Sequence, residues 1–204
     1  LLQEDSLLFL DVDPNLSLHC TTGFGAGMKF AVNYHYYPLG RFLHEQPGKS
    51  LLRALNELKL KNAAGKEEKA QMIVVPGDEP LAEYIGLYNL KDEEIGLLDG
   101  EILVTQNAAN VLGFAAGDQV EIQDQDLREV TVSGLVRNYL GNNVYMTEKT
   151  YESLFGDYEP NGVFLKLSEE CSDEIAYADD LGGKEGIVSY TSKQELSDEF
   201  SDAF

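Results

Sequence analysis

The stretch DGEILVTQNAANVLGFAAGDQV, residues 99–120, joins a strand pattern directly to a helix pattern. Its apolar run at 101–105 predicts a short buried strand. The segment 106–112 that follows predicts a short helix, with Thr105 as its N-cap and Gly113 as a left-handed C-cap. A strand that runs directly into a capped helix is typical of a mixed α and β domain.

Short strands and one helix are predicted on the C-terminal side of this stretch. In order, they are a turn at Gly117-Asp118, strands over 119–123, 130–136 and 144–146, and a helix over 148–155 that begins at Thr147 and ends at Gly156. Gly134 interrupts the second of these strands, and we expect a β-bulge there.

The N-terminal side mixes strands with one helix. Strands are predicted over 7–12, 28–37 and 71–75, a helix over 51–58 with Ser50 as its N-cap, and at least one helical turn within 81–88. The helix is predicted because Leu51, Leu52, Leu55 and Leu58 share one face at helical spacing.

The C-terminal part adds two strands and two helices. They are strands over 163–167 and 186–190, a helix over 175–181 that runs into Gly182-Gly183, and a final helix opened by a capping box of Ser192 and Glu195. Leu196, Phe200 and Phe204 form an apolar stripe on this last helix, which is still running at the end of the sequence. The order of elements favours an α+β fold over a doubly wound sheet.

Length and charge bound the functional classes. The chain has 204 residues, enough for one or two domains, and 43% of them are apolar, enough to build a core. Its 36 acidic and 15 basic side chains give a formal charge of −21. This charge argues against binding to nucleic acid or to anionic lipid, because both require a basic face. We expect any partner to be cationic, neutral or apolar.

The ends of the sequence suggest a piece of a longer protein. No apolar run approaches about 18 residues, so neither a membrane span nor a signal peptide is predicted within the sequence. The first residue is Leu1 rather than Met, and the last predicted helix is interrupted at Phe204. We therefore expect a processed or excised segment.

No catalytic, cofactor-binding or metal-binding residue is assigned from the motifs. Residues 23–27 are rich in glycine but lack the third glycine of a dinucleotide fingerprint, so a loop is expected. Residues 48–50 resemble the end of a phosphate-binding loop but lack its first glycine, and an ordinary helix start is expected. Asp11, Asp13 and Asn15 have the first spacing of a calcium loop without its glycine and glutamate, so we expect a solvated turn.

The cysteines and histidines leave two alternatives open. Cys20 and Cys171 are too few for a disulfide scaffold, and one bridge and two buried thiols are both consistent with the sequence. His19, His35 and His44 do not combine with them at zinc-finger spacing. An enzyme that pairs one cysteine with a histidine predicts a depressed thiol pKa in a cleft.

An aromatic cluster and three acidic runs complete the candidate features. Tyr34, Tyr36 and Tyr37 stand on the predicted strand 28–37. Aromatic surface marks partner sites, but strand alternation favours Tyr34 and Tyr36 as core and Tyr37 as rim. The acidic runs at 92–94, 169–170 and 198–199 are expected to be solvated surface.

Residues 99–167 as a whole resemble the extracytoplasmic domain of FtsX-like ABC transporter permeases, which are related to the periplasmic core of MacB. The pattern comprises the quoted stretch, the strands around Gly134 and Met146, the segment 151–156 and the strand after Asn161. The tail from Ser192 to Phe204 is similar to a stalk that leads into the next membrane helix of such a permease. The resemblance covers about residues 70–204.

The resemblance implies two lobes. A membrane-proximal α/β lobe would be built from residues 1–77 plus 161–204, and a smaller strand-rich lobe, residues 78–160, would be inserted into it. Cys20 and Cys171 would both lie in the lobe formed by the chain ends. An excised extracytoplasmic domain also accounts for the missing first Met and the interrupted last helix.

The resemblance also implies a function without catalysis. The chain would be the extracellular domain of a bacterial permease subunit at the cell membrane, and it would couple ATP hydrolysis to export or to mechanical signalling. Its partners would be the transmembrane helices of the same polypeptide, a cytoplasmic ABC ATPase subunit and a second permease protomer, with no nucleic acid and no cofactor. The main alternative is a secreted or surface-anchored module that binds a peptide or a glycan.

Overall fold

The computed structural model describes residues 7–12, 48–77, 81–124, 126–137, 141–167, 173–184, 187–192 and 195. In chain order the elements are β1 (Leu7–Val12), β2 (Gly48–Lys61), β3 (Glu67–Val75), a single 3-10 turn (Leu81–Glu83), β4 (Ile102–Thr105), α1 (Gln106–Leu112), β5 (Gln119–Gln123), β6 (Leu127–Val136), β7 (Asn143–Thr147), α2 (Glu148–Phe155), β8 (Gly162–Leu167), α3 (Glu174–Gly182) and β9 (Ile187–Ser192). The α+β class is confirmed. The predicted strand 28–37 lies outside the described residues.

The chain divides into two compact units, Leu1–Ser50 with Asn161–Phe204 and Leu51–Pro160. Residues 51–77 fall in the second unit, because β2 and β3 pair with each other and with β5 and β7. The division expected from the sequence differs here, since it counted residues 51–77 with the chain ends. That division, with its membrane-proximal and inserted lobes, stays a prediction.

The second unit is built on a ring of six strands. The order β3-β7-β4-β6-β5-β2 is closed by pairing of β2 with β3, so each strand has a partner on both sides. Two pairs are parallel, β3 with β7 and β4 with β6, and the other four are antiparallel. Closure into a barrel satisfies the backbone hydrogen bonds that an open sheet edge would leave unpaired.

The core of this unit lies inside the ring and under its two helices. Helices α1 and α2 contact β3, and the last four residues of β3 are therefore buried on both faces. The fully buried large side chains of the unit are Leu58, Leu60, Met72, Ile102, Leu103, Ile122 and Met146. All belong to strands, so the apolar residues of the strands supply most of the energy of burial.

Strand β2 replaces the helix predicted over 51–58, and that prediction is wrong. Within Gly48–Lys61, the backbone from Ala54 to Lys61 pairs with β3, and the last three residues also pair with β5 on the other side. From Glu57 to Leu60 the side chains alternate between exposed and buried, which is strand periodicity. The leucine spacing fits a helical period, and pairing with two neighbouring strands overrides it. Ser50 is accordingly a strand residue rather than an N-cap.

The helix after β4 has the predicted bounds but only one of its predicted caps. Gly113 adopts a left-handed conformation with φ 75°, and its N–H donates to the Ala109 carbonyl. Thr105 makes no side-chain cap hydrogen bond. Its Oγ1 instead accepts from the backbone N–H of Asn143 at 3.1 Å. This hydroxyl is buried, and it joins β4 to the start of β7.

The bulge expected at Gly134 is present. The parallel register of β4 and β6 pairs Ile102 with Val132 but Leu103 with Gly134, so one residue of β6 is extra. A Cβ atom on Gly134 would stand 2.9 Å from Cδ2 of Leu103. Glycine is therefore required here by close packing rather than by backbone conformation.

The first unit contains a three-stranded antiparallel sheet with β1 in the centre, between β8 and β9. Helix α3 contacts β9, and a Cβ atom on Gly182 would stand 2.4 Å from the Tyr190 ring. The capping interaction expected at Ser192 is present, since the Glu195 N–H donates to Ser192 Oγ at 3.2 Å. Ser192 Oγ also donates to the buried carboxylate of Glu174 at 2.6 Å.

Candidate functional site

The candidate residues from the N-terminal third lie outside the described residues. They are Cys20, His19, His35, His44, Asp13, Asn15 and the cluster Tyr34, Tyr36 and Tyr37, together with Cys171. The cysteine-histidine pair and the tyrosine cluster therefore stay predictions. Residues 48–50 open strand β2, so the helix start expected there is wrong.

Two features are absent from the described part of the chain, a cluster of metal ligands and a membrane-spanning helix. The described residues contain no group of three or more His, Cys, Asp or Glu side chains placed to share a metal ion. They also contain no helix that is both long and apolar enough to cross a bilayer.

One edge of the barrel gathers polar side chains into a cluster. Strands β3 and β7 are parallel, and Val75 pairs with Thr147 at their carboxyl ends. Since the carboxyl ends of parallel strands meet at one edge, the residues that follow them lie together. We call Asp99, Thr147, Lys149 and Thr150 the polar cluster.

Hydrogen bonds hold the polar cluster at the start of α2. Thr147 Oγ1 accepts from the Thr150 N–H at 3.2 Å, which confirms the predicted N-cap. The two hydroxyls lie 2.9 Å apart, and Thr150 Oγ1 accepts from the Gly100 N–H at 2.9 Å. The other end of the helix also follows the prediction, because Gly156 caps it with φ 98°. The cluster thus fixes the segment before β4 against α2.

The Asp99 carboxylate is stabilised in its charged form. Thr147 Oγ1 donates to Asp99 Oδ1 at 2.7 Å, and Lys149 Nζ lies 3.3 Å from Oδ2. These contacts, with the Thr147 hydrogen bond first, hold the pKa of Asp99 below its usual 3.8. The carboxylate is paired, so its role here is structural.

A cleft of about 180 Å³ opens beside the polar cluster, and Thr147 belongs to both. Its walls come from the end of β3, from the 3-10 turn, and from the segment 85–97. Most lining residues are aliphatic, and Glu94 is the one charged side chain among the described lining residues. A concave, mostly apolar site with a few polar groups is typical of binding pockets.

Backbone and side-chain hydrogen bonds shape the segment that forms the outer wall of the cleft. The Asn89 side chain accepts from the N–H groups of Lys91 and Glu93, at 2.8 and 3.0 Å. The Ile95 N–H donates to the Leu87 carbonyl at 2.8 Å, and the Arg137 N–H donates to the Tyr88 carbonyl at 2.7 Å.

The cleft was not predicted from the sequence. At least one helical turn was expected within 81–88, and the segment forms a single 3-10 turn, which is followed by a short bridge between Tyr88 and Glu94. The run 92–94 was expected to be solvated surface, and all three residues are exposed as expected. Only the fold brings Glu94 beside an apolar wall. One feature of the sequence could have indicated the cleft: two adjacent leucines, Leu97 and Leu98, follow the acidic run outside any predicted strand or helix.

Comparisons with known proteins place the fold. No protein-family model matches the chain, and no curated protein matches its sequence. The periplasmic region of MacB from Actinobacillus actinomycetemcomitans has a similar structure, with a TM-score of 0.55 and 11% identity over 97% of this chain and 93% of that one.

A second solved structure gives the same result. The extracellular domain of the noncanonic ABC-type transporter YknZ from Gram-positive bacteria has a TM-score of 0.53 and 13% identity, over 92% of this chain and 98% of that one. Both likenesses span almost the whole of each chain. The chain therefore has the MacB-like fold of these extracytoplasmic transporter domains, as the resemblance of residues 99–167 implied.

Proposed function

We propose that the chain is the extracellular domain of an ABC transporter permease subunit and that it is not an enzyme. The observation that carries the proposal is the likeness in fold to the domains of MacB and YknZ over more than nine-tenths of this chain. The net charge of −21 is compatible with the translocated side of a membrane, although long loops cross largely regardless of charge.

In this proposal the domain transmits movement rather than performing chemistry. ATP would be hydrolysed by a separate cytoplasmic subunit, and the transmembrane helices of the same polypeptide would pass the resulting motion to this domain. The domain would then drive export or signal mechanically at the outer face of the membrane. A folded unit with its own closed barrel is suited to this role, because a rigid body moves without losing its internal contacts.

A secreted or surface-anchored binding module is the second candidate. The observation that favours it is the apolar cleft, which provides a recognition site without any need for transport. This candidate requires no transmembrane helix on either side of the chain, so the two candidates differ in a property that is simple to test.

The test is the sequence of the parent gene, followed by a topology assay. Apolar stretches of about 20 residues before Leu1 and after Phe204 are expected for a permease, together with a neighbouring ATPase gene. An epitope inserted between the exposed residues Ala63 and Ala64 should then be reached by antibody on intact cells. A stop codon after Phe204 and only a signal peptide upstream would contradict the permease and support the secreted module.

A further inference from the structure

We propose that the cleft docks a partner polypeptide by receiving one aliphatic side chain that is flanked by Lys or Arg. The inference concerns the described surface of the second unit. It does not rest on membrane attachment, and it holds equally for a permease domain and a secreted module.

The volume of the cleft fits a side chain rather than a free ligand. Pockets for small molecules commonly measure about 300–1,000 Å³. At about 180 Å³ the cleft is smaller, yet it is several times the volume of about 30 Å³ that one water occupies in the liquid. One leucine-sized group of a larger partner would fill it. Interfaces between proteins often concentrate binding energy in such an anchor pocket.

Exposed apolar side chains stand on the chain segment that lines the cleft. Leu97 lines it, and Leu98 follows directly in the chain with 64% of its surface exposed. Leu90, on the same segment, is 61% exposed. Two leucines within nine residues of one loop thus leave most of their apolar surface in water. A docked partner would bury that surface, which is favourable.

The negative charge of the cleft and of the whole chain favours a partner segment that carries Lys or Arg. The carboxylate of Glu94 lines the cleft and makes no ion pair or hydrogen bond with the described residues. The whole chain carries 36 acidic and 15 basic side chains, so a basic segment is attracted from a distance as well. A second copy of this chain carries the same charge of −21, and like charge disfavours it as the occupant.

The outer wall is already organised for binding. The hydrogen bonds of Asn89 and Ile95 hold the segment in one turn, and an ion pair between Asp92 and Arg137 ties it to the end of β6. A site that keeps its shape before binding loses less entropy when the partner docks. The wall is therefore suited to receive an anchor without refolding.

The experiment titrates the ¹⁵N-labelled 204-residue chain with the peptide Lys-Leu-Leu-Lys, capped at both ends. We expect saturable shifts in the amides of Leu81, Ile85, Ile95 and Leu97. Glu-Leu-Leu-Glu and Lys-Ser-Ser-Lys, which each lack one half of the proposed chemistry, should bind at least about ten-fold more weakly. Raising the salt from about 50 mM to about 500 mM should weaken the binding of Lys-Leu-Leu-Lys, because screening removes the attraction to Glu94.

Two variants test the walls of the cleft directly. Glu94→Gln should raise the Kd about three-fold, the usual size for an exposed charge pair, whereas the matched exposed control Glu152→Gln should leave it unchanged. Gly96→Val should raise the Kd about ten-fold, because Gly96 lines the cleft and a Cβ atom there meets open space. An unchanged thermal midpoint confirms that each variant folds.

Several results would overturn the inference. The first two are the absence of saturable amide shifts at about 2 mM Lys-Leu-Leu-Lys and binding of Lys-Ser-Ser-Lys with the same Kd as Lys-Leu-Leu-Lys. The third is an equal rise in Kd for Glu94→Gln and Glu152→Gln. The fourth is concentration-dependent self-association of the chain that Gly96→Val abolishes. Because the isolated chain is used, none of these results bears on the proposed permease function, which the parent gene tests separately.

Discussion

At the scale of single residues, the barrel edge depends on one carboxylate and its neighbours. Asp99 receives hydrogen bonds from Thr147 and Lys149, and Thr147 in turn caps α2. About half of the Asp99 side chain is exposed to solvent, which screens the attraction of Lys149. The contribution of the Asp99 carboxylate to folding stability should therefore be small at any one pH, and it should show most clearly as a change in stability with pH.

Asp99→Asn should remove part of the acid sensitivity of folding. The folded pKa of Asp99 lies below 3.8, so the unfolded chain binds the proton more readily. The stability that the charged form of Asp99 contributes is complete above about pH 3.8, the pKa in the unfolded chain. It is lost as the pH falls through the lower pKa of the folded chain. We expect the variant to be less stable than the wild type at about pH 6, and this difference to shrink at about pH 3. Urea denaturation at both values measures it, and a difference that grows toward acid would contradict the assignment.

A second residue-scale prediction concerns glycine packing. Gly134→Ala should destabilise the fold by about 1–3 kcal/mol, because the new methyl group would overlap Leu103 at the β-bulge. Gly96→Ala is the matched control, since a Cβ atom there has no neighbour within 4 Å. Chemical denaturation of both variants provides the measurement. Equal stability of the two would show that the β4–β6 packing is looser than described.

At the scale of elements, β2 shows how pairing overrides a local pattern. Its leucines satisfy a helical spacing, and a helix was expected from Leu51 to Leu58. The antiparallel register with β3 runs from Ala54 to Lys61, and β5 pairs with the last three residues. Each side of the strand therefore gains backbone hydrogen bonds to a neighbour, and a helix would leave β3 and β5 without that partner.

Truncating Leu60 distinguishes strand from helix. Leu60 lies beyond the end of the predicted helix and off the line of its apolar face, so in that prediction its loss would cost little. In β2 it is completely buried, so Leu60→Ala should cost about 2–5 kcal/mol. Glu57→Ala, at an exposed position of the same strand, should remain within about 0.5 kcal/mol. Thermal and urea unfolding measure both, and a small effect at Leu60 would argue against the strand.

At the scale of the whole molecule, the second unit has a core of its own. The main cluster of buried apolar residues runs from Leu58 to Tyr158 and lies entirely within Leu51–Pro160. Its six strands form a closed ring, which leaves no unpaired edge among them. These properties are those of an independently folding domain.

The fragment 51–160 should therefore fold without the rest of the chain. We expect one cooperative thermal transition and dispersed amide signals in a ¹⁵N spectrum, because the main buried core and the β2–β3 pairing that closes the ring both lie within it. Leu60→Ala in the same fragment should lower the midpoint and so show that the native core is formed. A fragment without a cooperative transition would indicate that the first unit supplies part of the stability.

The α+β class, most of the short strands, the caps at Gly113, Thr147 and Gly156, and the bulge at Gly134 were all predictable from the sequence alone. These features depend on neighbouring residues in the chain, so local conformational preference and periodicity are sufficient to predict them. The resemblance of residues 99–167 also identified the fold that the solved structures of MacB and YknZ share.

Only the tertiary structure decided the state of β2, the buried role of the Thr105 hydroxyl, and the cleft with its polar cluster. Each depends on residues far apart in the chain: β2 on its partners β3 and β5, Thr105 on Asn143, and the cleft on the meeting of β3 with β7. Local pattern cannot specify such contacts, because their energy exists only once the distant strands have paired.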